Sequence, residues 1–362
     1  MTPSSEMTAA VYTCHDDCKR LLTVDLSKIK FYDWPTEQEF FNSTHNYKIA
    51  VIEFDYTNPK NFVPLATKFL NCDLVLVFSL EASPEIINLI KKFDLPNFVF
   101  VINVVLNFKL TSAKLVSQVP WICSTANFYL DPLRHILEKK LKAFSYKPYM
   151  FDVMYGLPRK HRSFVKSHLP NNTNQFYQTP YFSHPNGQIN QTYNFDQTDL
   201  WEDEIVLSTN NNYECTYYGQ TMMISQVMPF KIYNKTAYSL VCETSADNSI
   251  SLFSEKITKP IIAHRLFIVV SGQNYLKNLR NLGFQTFGNI IDESYDQIEN
   301  PTQRWAMAVE QAILLSKQDQ KQVLKKIIPT VLHNFDTLTH LYTNHLSQEL
   351  ELFLLDKGYH KN

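Results

Sequence analysis

The sequence predicts an α/β protein of two successive domains, in each of which buried parallel strands alternate with helices, closed by a helical segment. Three observations carry this. Runs that are apolar without alternation, KIAVIEFDY at 48–56, CDLVLVFSL at 72–80, NFVFVINVV at 97–105 and LFIVVSG at 266–272, have the length of strands buried on both faces. Segments of helical spacing lie between them, the order expected of βα units around a parallel sheet. After Asn300 the pattern is helical to the end. Both domains are therefore read as Rossmann-like, residues 1–145 and 146–300, with terminal helices over 301–362.

The elements follow in chain order. Residues 1–20, MTPSSEMTAAVYTCHDDCKR, read as irregular. After the strand at 48–56, FVPLATKFL at 62–70 has helical spacing and leads into the strand at 72–80. PEIINLIKKF at 84–93 is a helix, with Pro84 at a position where its missing N–H costs nothing. The strand at 97–105 follows, WICST at 121–125 is a candidate fourth strand, and DPLRHILEKKLKAF at 131–144 is a capped helix. In the second domain MFDVMYG at 150–156 is a strand, RKHRSFVKSHL at 159–169 a helix and QFYQTPYF at 175–182 a strand. Residues 183–228 are polar, rich in Asn, Gln, Thr and Tyr, and read as a long irregular insertion of the functional kind. AYSLVCETS at 237–245 is a strand with its loop, SEKITKPIIA at 254–263 a helix, and NYLKNLRNLG at 274–283 a helix capped by Gly283. TFGNIID at 286–292 reads as a strand.

Composition narrows the function classes. A chain of 362 residues, 44% hydrophobic and 19% charged, has material for two cores and none of the signature of wholesale disorder. With 25 Phe and 20 Tyr, those cores are aromatic. The formal net charge of −1 argues against a broad basic surface for nucleic acid, though a local basic groove stays open. No apolar run reaches the roughly 18–20 residues of a membrane span, and the first residues lack the basic start and apolar middle of a signal peptide. Six scattered cysteines fit reduced thiols in a cytoplasmic protein. The glycine-rich turn of dinucleotide folds is missing, so nothing supports NAD or FAD, and no phosphate loop, G-x-S-x-G or paired H-x-x-x-H supports an ATPase, hydrolase or zinc peptidase.

Ligands of parallel sheets sit at the carboxyl ends of the strands, so two such domains place the expected site in a cleft between them. Glu255 and Lys256 open a helix directly after a loop, bringing backbone N–H groups, a cation and a carboxylate together. A departing diphosphate needs such cations and helix N–H groups, and ribose hydroxyls suit a carboxylate. The competing reading is a solvated helix start. Arg159, Lys160, His161 and Arg162 crowd another helix N-terminus, where cations oppose the helix dipole unless an anion is bound.

These residues carry a family resemblance. YSLVCETS followed by FSEKITKPIIAHRLFIVVSG resembles the donor-binding signature of bacterial and animal α-1,3-fucosyltransferases. In that family a strand ending in Phe-Glu-Asn-Ser precedes Tyr-x-Thr-Glu-Lys, a helix, and an apolar strand ending in Gly. Here Cys242-Glu243-Thr244-Ser245 stands at the first element and Phe253-Ser254-Glu255-Lys256 at the second. MYGLPRKHRSFVKSHL at 154–169 resembles the strand–loop–helix that opens the family's nucleotide domain, with Tyr-Gly in place of its Ser-Asn. The resemblance implies a two-Rossmann (GT-B type) glycosyltransferase. It implies that Glu255 contacts the ribose and Lys256 the diphosphate, joined there by Arg162 or Arg159, with Glu243, Ser254 and Lys259 in the same donor site.

The implied co-substrate is a nucleotide-sugar, with no metal or other cofactor. The acceptor is a saccharide hydroxyl or, as in phage enzymes of this architecture, a hydroxymethylated DNA base, which would have to be flipped out. The family's catalytic base is a Glu of the N-terminal domain. Glu53 and Glu81, at strand ends, are the candidates. A protein binding nucleotides or glycans without turnover is the alternative, and homodimerisation through the terminal helices the expected oligomer if they do not pack back onto the sheets. Cys14-His15-Asp16-Asp17-Cys18 and Glu202-Asp203-Glu204 have metal-ligand chemistry, but neither has the surrounding spacing of a metal site.

Overall fold

The computed structural model describes residues 8–13, 30–33, 37–42, 47–53, 62–79, 84–102, 104–117, 120–170, 175–179, 204–208 and 214–343. They fall into two compact units, the residues up to 117 and those from 120 to 343.

In the first unit, β1 (Thr8–Thr13), β2 (Lys30–Asp33), β3 (Tyr47–Glu53), β4 (Leu74–Ser79), β5 (Phe98–Ile102) and β6 (Lys114–Ser117) form one sheet. The order is β2-β1-β3-β4-β5-β6 and every pair is parallel. Helices α1 (Glu37–Asn42), α2 (Phe62–Lys68) and α3 (Pro84–Lys92) lie between the strands in sequence. All five residues of β5 are buried, as a central parallel strand requires, and the Phe98 ring stacks on Phe93 with centroids 5.5 Å apart. The strand order reverses between β1 and β3, as it does in doubly wound sheets.

In the second unit, β7 (Tyr149–Val153) and β8 (Phe176–Gln178) come first. An antiparallel meander of β9 (Ile205–Leu207), β10 (Glu214–Tyr217) and β11 (Gln220–Met223) follows, then β12 (Thr236–Cys242) and β13 (Phe267–Val270). The main sheet has the order β13-β12-β7-β8, again all parallel. Its helices are α4 (Pro120–Leu130), α5 (Arg134–Lys140), α6 (Lys160–His168), α7 (Glu255–Ile262), α8 (Tyr275–Asn281), α9 (Pro301–Leu315) and α10 (Gln320–Thr343). The β7–α6–β8 and β12–α7–β13 crossovers run in opposite directions along the sheet, so right-handed connections put α6 and α7 on opposite faces. Accordingly α9 packs on α6, while α4 and α10 pack on α7. Among the described residues no helix is long and apolar enough to cross a membrane.

The lower end of this sheet is locked by a buried guanidinium. Arg265, just ahead of β13, bonds Asp152 Oδ2 at 2.6 Å, Ser239 Oγ at 3.0 Å and the carbonyls of Tyr233, Thr236 and Tyr238. At the carboxyl end a second buried arginine, Arg304, donates to the carbonyls of Ser271, Ile298 and Glu299 and to Asn248 Oδ1. Both ends of the sheet are therefore tied by buried arginine side chains.

Several elements differ from the sequence reading. Thr8–Thr13, inside the stretch read as irregular, is an interior strand paired on both sides; TAAVYT is too poor in large apolar residues to announce itself. Trp121–Thr125 is not a strand but part of α4, because the apolar run continues to Leu130 behind a Pro at the first helical position. The next strand of the first sheet is β6 instead. The helix expected over 131–144 is confined to α5. The expected irregular insertion 183–228 contains the β9–β11 meander, whose hairpin closes on Tyr218 and Gly219, with φ of 47° and 78°. Two consecutive positive φ values give the two-residue turn that matches strand twist. Thr286–Asp292 forms a turn in which the Phe287 carbonyl accepts from the N–H groups of Ile290 and Ile291, while the Phe287 ring packs edge-on against Phe267. Finally, the units divide near residue 119 rather than 145, because α4 packs on α7 and α10; the terminal helices up to 343 belong to the second unit.

Candidate functional site

The order β13-β12-β7-β8 reverses between β7 and β12. Loops leaving the carboxyl ends of these two strands lead to helices on opposite faces, and the crevice expected between them is the position at which open α/β sheets hold ligands. Residues 154–159 leave β7 and enter α6; residues 243–254 leave β12 and enter α7.

On the β7 side, the loop is pinned at Tyr155, whose N–H donates to Thr179 Oγ1 at 3.0 Å and whose hydroxyl donates to Gln178 at 2.9 Å. Arg162, in the first turn of α6, is 3% exposed. Its Nη1 donates to the Leu157 carbonyl at 2.8 Å and its Nη2 to the Glu243 carbonyl at 3.1 Å, while its buried Nε has no partner. Burial pushes its pKa down from the arginine value, with Arg159 adding to the shift and Cys242, Glu243 and Glu255 only partly opposing it. His161 Nε2 donates to the same Glu243 carbonyl at 2.8 Å. Burial drops its pKa to about 4, so at neutral pH this imidazole is uncharged with its proton on Nε2. Arg159 and Lys160 at the start of α6 are exposed; Arg159 occupies the N-cap position without a capping side-chain bond, and the first turn has no acidic residue. No side chain therefore caps this helix start, and the exposed cations Arg159 and Lys160 stand at it.

On the β12 side, Glu243 is the organiser. Its carboxylate is 0% exposed. It accepts from Thr244 N–H at 2.8 Å, Ser254 Oγ at 2.7 Å, Ser254 N–H at 3.2 Å and the Tyr275 hydroxyl at 2.8 Å. Ser254 in turn caps α7 by accepting from Lys256 N–H at 3.2 Å. Lys256 Nζ lies 3.0 Å from Thr244 Oγ1 and 2.5 Å from Glu255 Oε1, with the Lys256 and Glu255 side chains 26% and 14% exposed. Burial alone would raise the Glu255 pKa, but Lys256 and Lys259 outweigh it and hold the carboxylate below its usual value. Lys259, half-buried one turn along, is pushed down to about 8 by burial and by Lys256, against the pull of Glu255.

One chain of contacts therefore joins Arg162, Glu243, Ser254, Lys256 and Glu255 across the crevice, with Lys259 within electrostatic range and Arg159 at its mouth. Glu243 and Ser254 act here by holding the loops, since their polar atoms are bound within the protein. Glu53 is the last residue of β3, the strand beside the order reversal of the first sheet, and Glu81 lies outside the described residues. The sequence reading did not single out Thr244 or Tyr275, and it missed Gly156, whose place beside a cationic cluster in a chain with only 7 glycines was a signal. Glu204 is held by Lys140 and the Tyr218 hydroxyl. Cys14–Cys18 and Glu202-Asp203 lie outside the described residues, and among those described no group of three or more His, Cys, Asp or Glu could hold a metal ion.

Comparison with protein-family models, with curated proteins and with solved structures gives no match.

Proposed function

We propose that the chain is a glycosyltransferase that takes a nucleotide-diphosphate sugar at the β7/β12 crevice and moves the sugar to an acceptor hydroxyl. The observation that carries the reading is Glu243: its carbonyl receives the start of α6 and its carboxylate the start of α7, so one residue draws two helix N-termini to one strand-order reversal. Arg159, Arg162, Lys256 and Lys259 stand around it, a density of positive charge and N–H groups suited to a diphosphate.

In this reading the acceptor oxygen bonds to the anomeric carbon as the bond to the diphosphate oxygen breaks. The negative charge gathered on the leaving group is received by Lys256 and the α6 cations. Glu255, fixed by Lys256, accepts from the ribose hydroxyls. The acceptor proton goes to a carboxylate outside this crevice, the role for which Glu53 and Glu81 are the candidates. The acceptor is a saccharide hydroxyl or a hydroxymethylated base.

A second reading, binding without turnover, is favoured by one observation: Glu243 is saturated and Glu255 is tied to Lys256, so neither carboxylate of this crevice serves as a base.

Thermal unfolding with GDP, UDP, CDP and their sugar conjugates tests the donor site, because a ligand of the native state raises its stability. Wild type is expected to be stabilised by one nucleotide class and Lys256→Ala not. Indifference of the wild type to every nucleotide rejects the reading. Release of free nucleoside diphosphate from the stabilising donor, abolished in Glu53→Gln or in Glu81→Gln with binding intact, separates transfer from mere binding.

A further inference from the structure

Resting on the nucleotide-binding reading of the crevice, we propose that Trp305 is the stacking platform for the nucleobase, on the β13 side of the diphosphate.

Trp305 belongs to the second turn of α9, which begins at Pro301 behind the cap of Asn300. Its indole Nε1 donates to the carbonyl of Ser271, the residue directly after β13, at 3.3 Å. Its ring lies 5.9 Å from His161 and 5.8 Å from Phe164, centroid to centroid, both on α6. The indole therefore bridges the carboxyl end of β13 and the first turns of α6, and His161 links it directly to the Glu243 carbonyl. A nucleoside whose diphosphate lies at the starts of α6 and α7 has to run along this carboxyl edge, toward β8 or toward β13.

The two directions differ in what they offer. Toward β8 stands Tyr155, 1% exposed and with its hydroxyl already bound to Gln178, so it offers no ring face. Tyr275, near the α7 start, is also 1% exposed and bound to Glu243. Trp305 is only half-buried, although Arg304 beside it and Ala308 one turn on are buried. An indole held at its N–H and along one side, with surface left over, is pre-organised for a flat partner and loses little freedom when it binds one. Stacking needs no particular base, because every base has a π-face. The ligand class is a nucleoside diphosphate, whose base sits on the indole and whose phosphates sit at the cations.

The test measures affinity of GDP, UDP and inorganic pyrophosphate by calorimetry for wild type, Trp305→Ala, Trp305→Leu and Trp305→Phe. Trp305→Ala and Trp305→Leu are expected to weaken GDP and UDP about tenfold, the size of one lost base–aromatic stack, while pyrophosphate is unchanged. Trp305→Phe is expected to keep most of the nucleotide affinity. Of the four tryptophans, Trp305 should carry the nucleotide-induced quench of fluorescence, so the quench disappears in Trp305→Phe. Wild-type GDP or UDP binding that persists unweakened in Trp305→Leu overturns this assignment and leaves the crevice reading standing. Wild type that binds neither nucleotide nor pyrophosphate overturns both. Trp305→Leu and Trp305→Phe, which keep more of the apolar side chain than alanine does, keep the test valid should the alanine variant not fold.

Discussion

A methyl group on Gly156 would lie 2.9 Å from Nη1 of Arg162. The Arg162 guanidinium occupies the space that a side chain at 156 would fill, and from there Nη1 reaches the Leu157 carbonyl and Nη2 the Glu243 carbonyl. Gly156→Ala should push Arg162 off this seat. Overpacking of this kind costs about 1–3 kcal/mol of stability, read from urea unfolding. Diphosphate affinity should fall about tenfold, the worth of one hydrogen bond to a charged group. Because both residues act through one contact, Gly156→Ala added to Arg162→Ala should cost almost nothing further, a non-additivity that calorimetry on the double variant would reveal.

Glu243→Gln keeps shape but trades a carboxylate oxygen for an NH2 group facing donors. With Thr244 N–H, Ser254 N–H, Ser254 Oγ and Tyr275 Oη all aimed inward, at least one is left facing a donor. A buried group left unsatisfied costs about 1–3 kcal/mol. The variant should therefore melt earlier and bind nucleotide more weakly, even though the side chain touches no ligand. Unchanged melting would contradict the hydrogen-bond assignment.

Lys259 makes the crevice pH-dependent. Its folded-state pKa is about 8, below its ordinary 10.5, so between these values the unfolded chain holds more protons and stability rises with pH. Below pH 8 the charged lysine sits at its full cost. A bound diphosphate favours the ammonium, so binding at pH 8.5–9 should take up a proton and affinity should decline as pH climbs past 8. Calorimetry in two buffers of different ionisation enthalpy measures this uptake. Lys147 is shifted the same way, to about 8, so the decisive quantity is the difference between wild type and Lys259→Met, which should lose the uptake.

Arg265 provides a control remote from the crevice. Burial pushes the Asp152 pKa up, and Arg265 with the Ser239 and Thr236 hydroxyls holds it back. Arg265→Met leaves that carboxylate unpaired in the interior, a change that costs about 3–5 kcal/mol in comparable buried pairs. Chemical denaturation should show that loss, while nucleotide affinity of the remaining folded protein stays near wild type.

The parts of this architecture that could be read in the sequence are those where one physical signal dominates. β3, β4, β5, β12 and β13 are short apolar runs buried on both faces, and α9 and α10 are long periodic helices. Thr8–Thr13 was illegible because an interior strand of small residues relies on its neighbours rather than on its own hydrophobicity. The β9–β11 hairpin was illegible because Tyr218 at positive φ is the opposite of what turn preference leads one to look for. At the crevice, Glu255, Lys256 and Arg162 were legible as charges ahead of helices. That the Glu243 carboxylate faces inward was not, since the donors that saturate it come from residues 244, 254 and 275.

Glu243 touches helices on opposite faces of its sheet with two different atoms, its backbone oxygen and its carboxylate. Amide hydrogens at the start of α6 and at the start of α7 should consequently slow together in deuterium exchange whenever either end is braced.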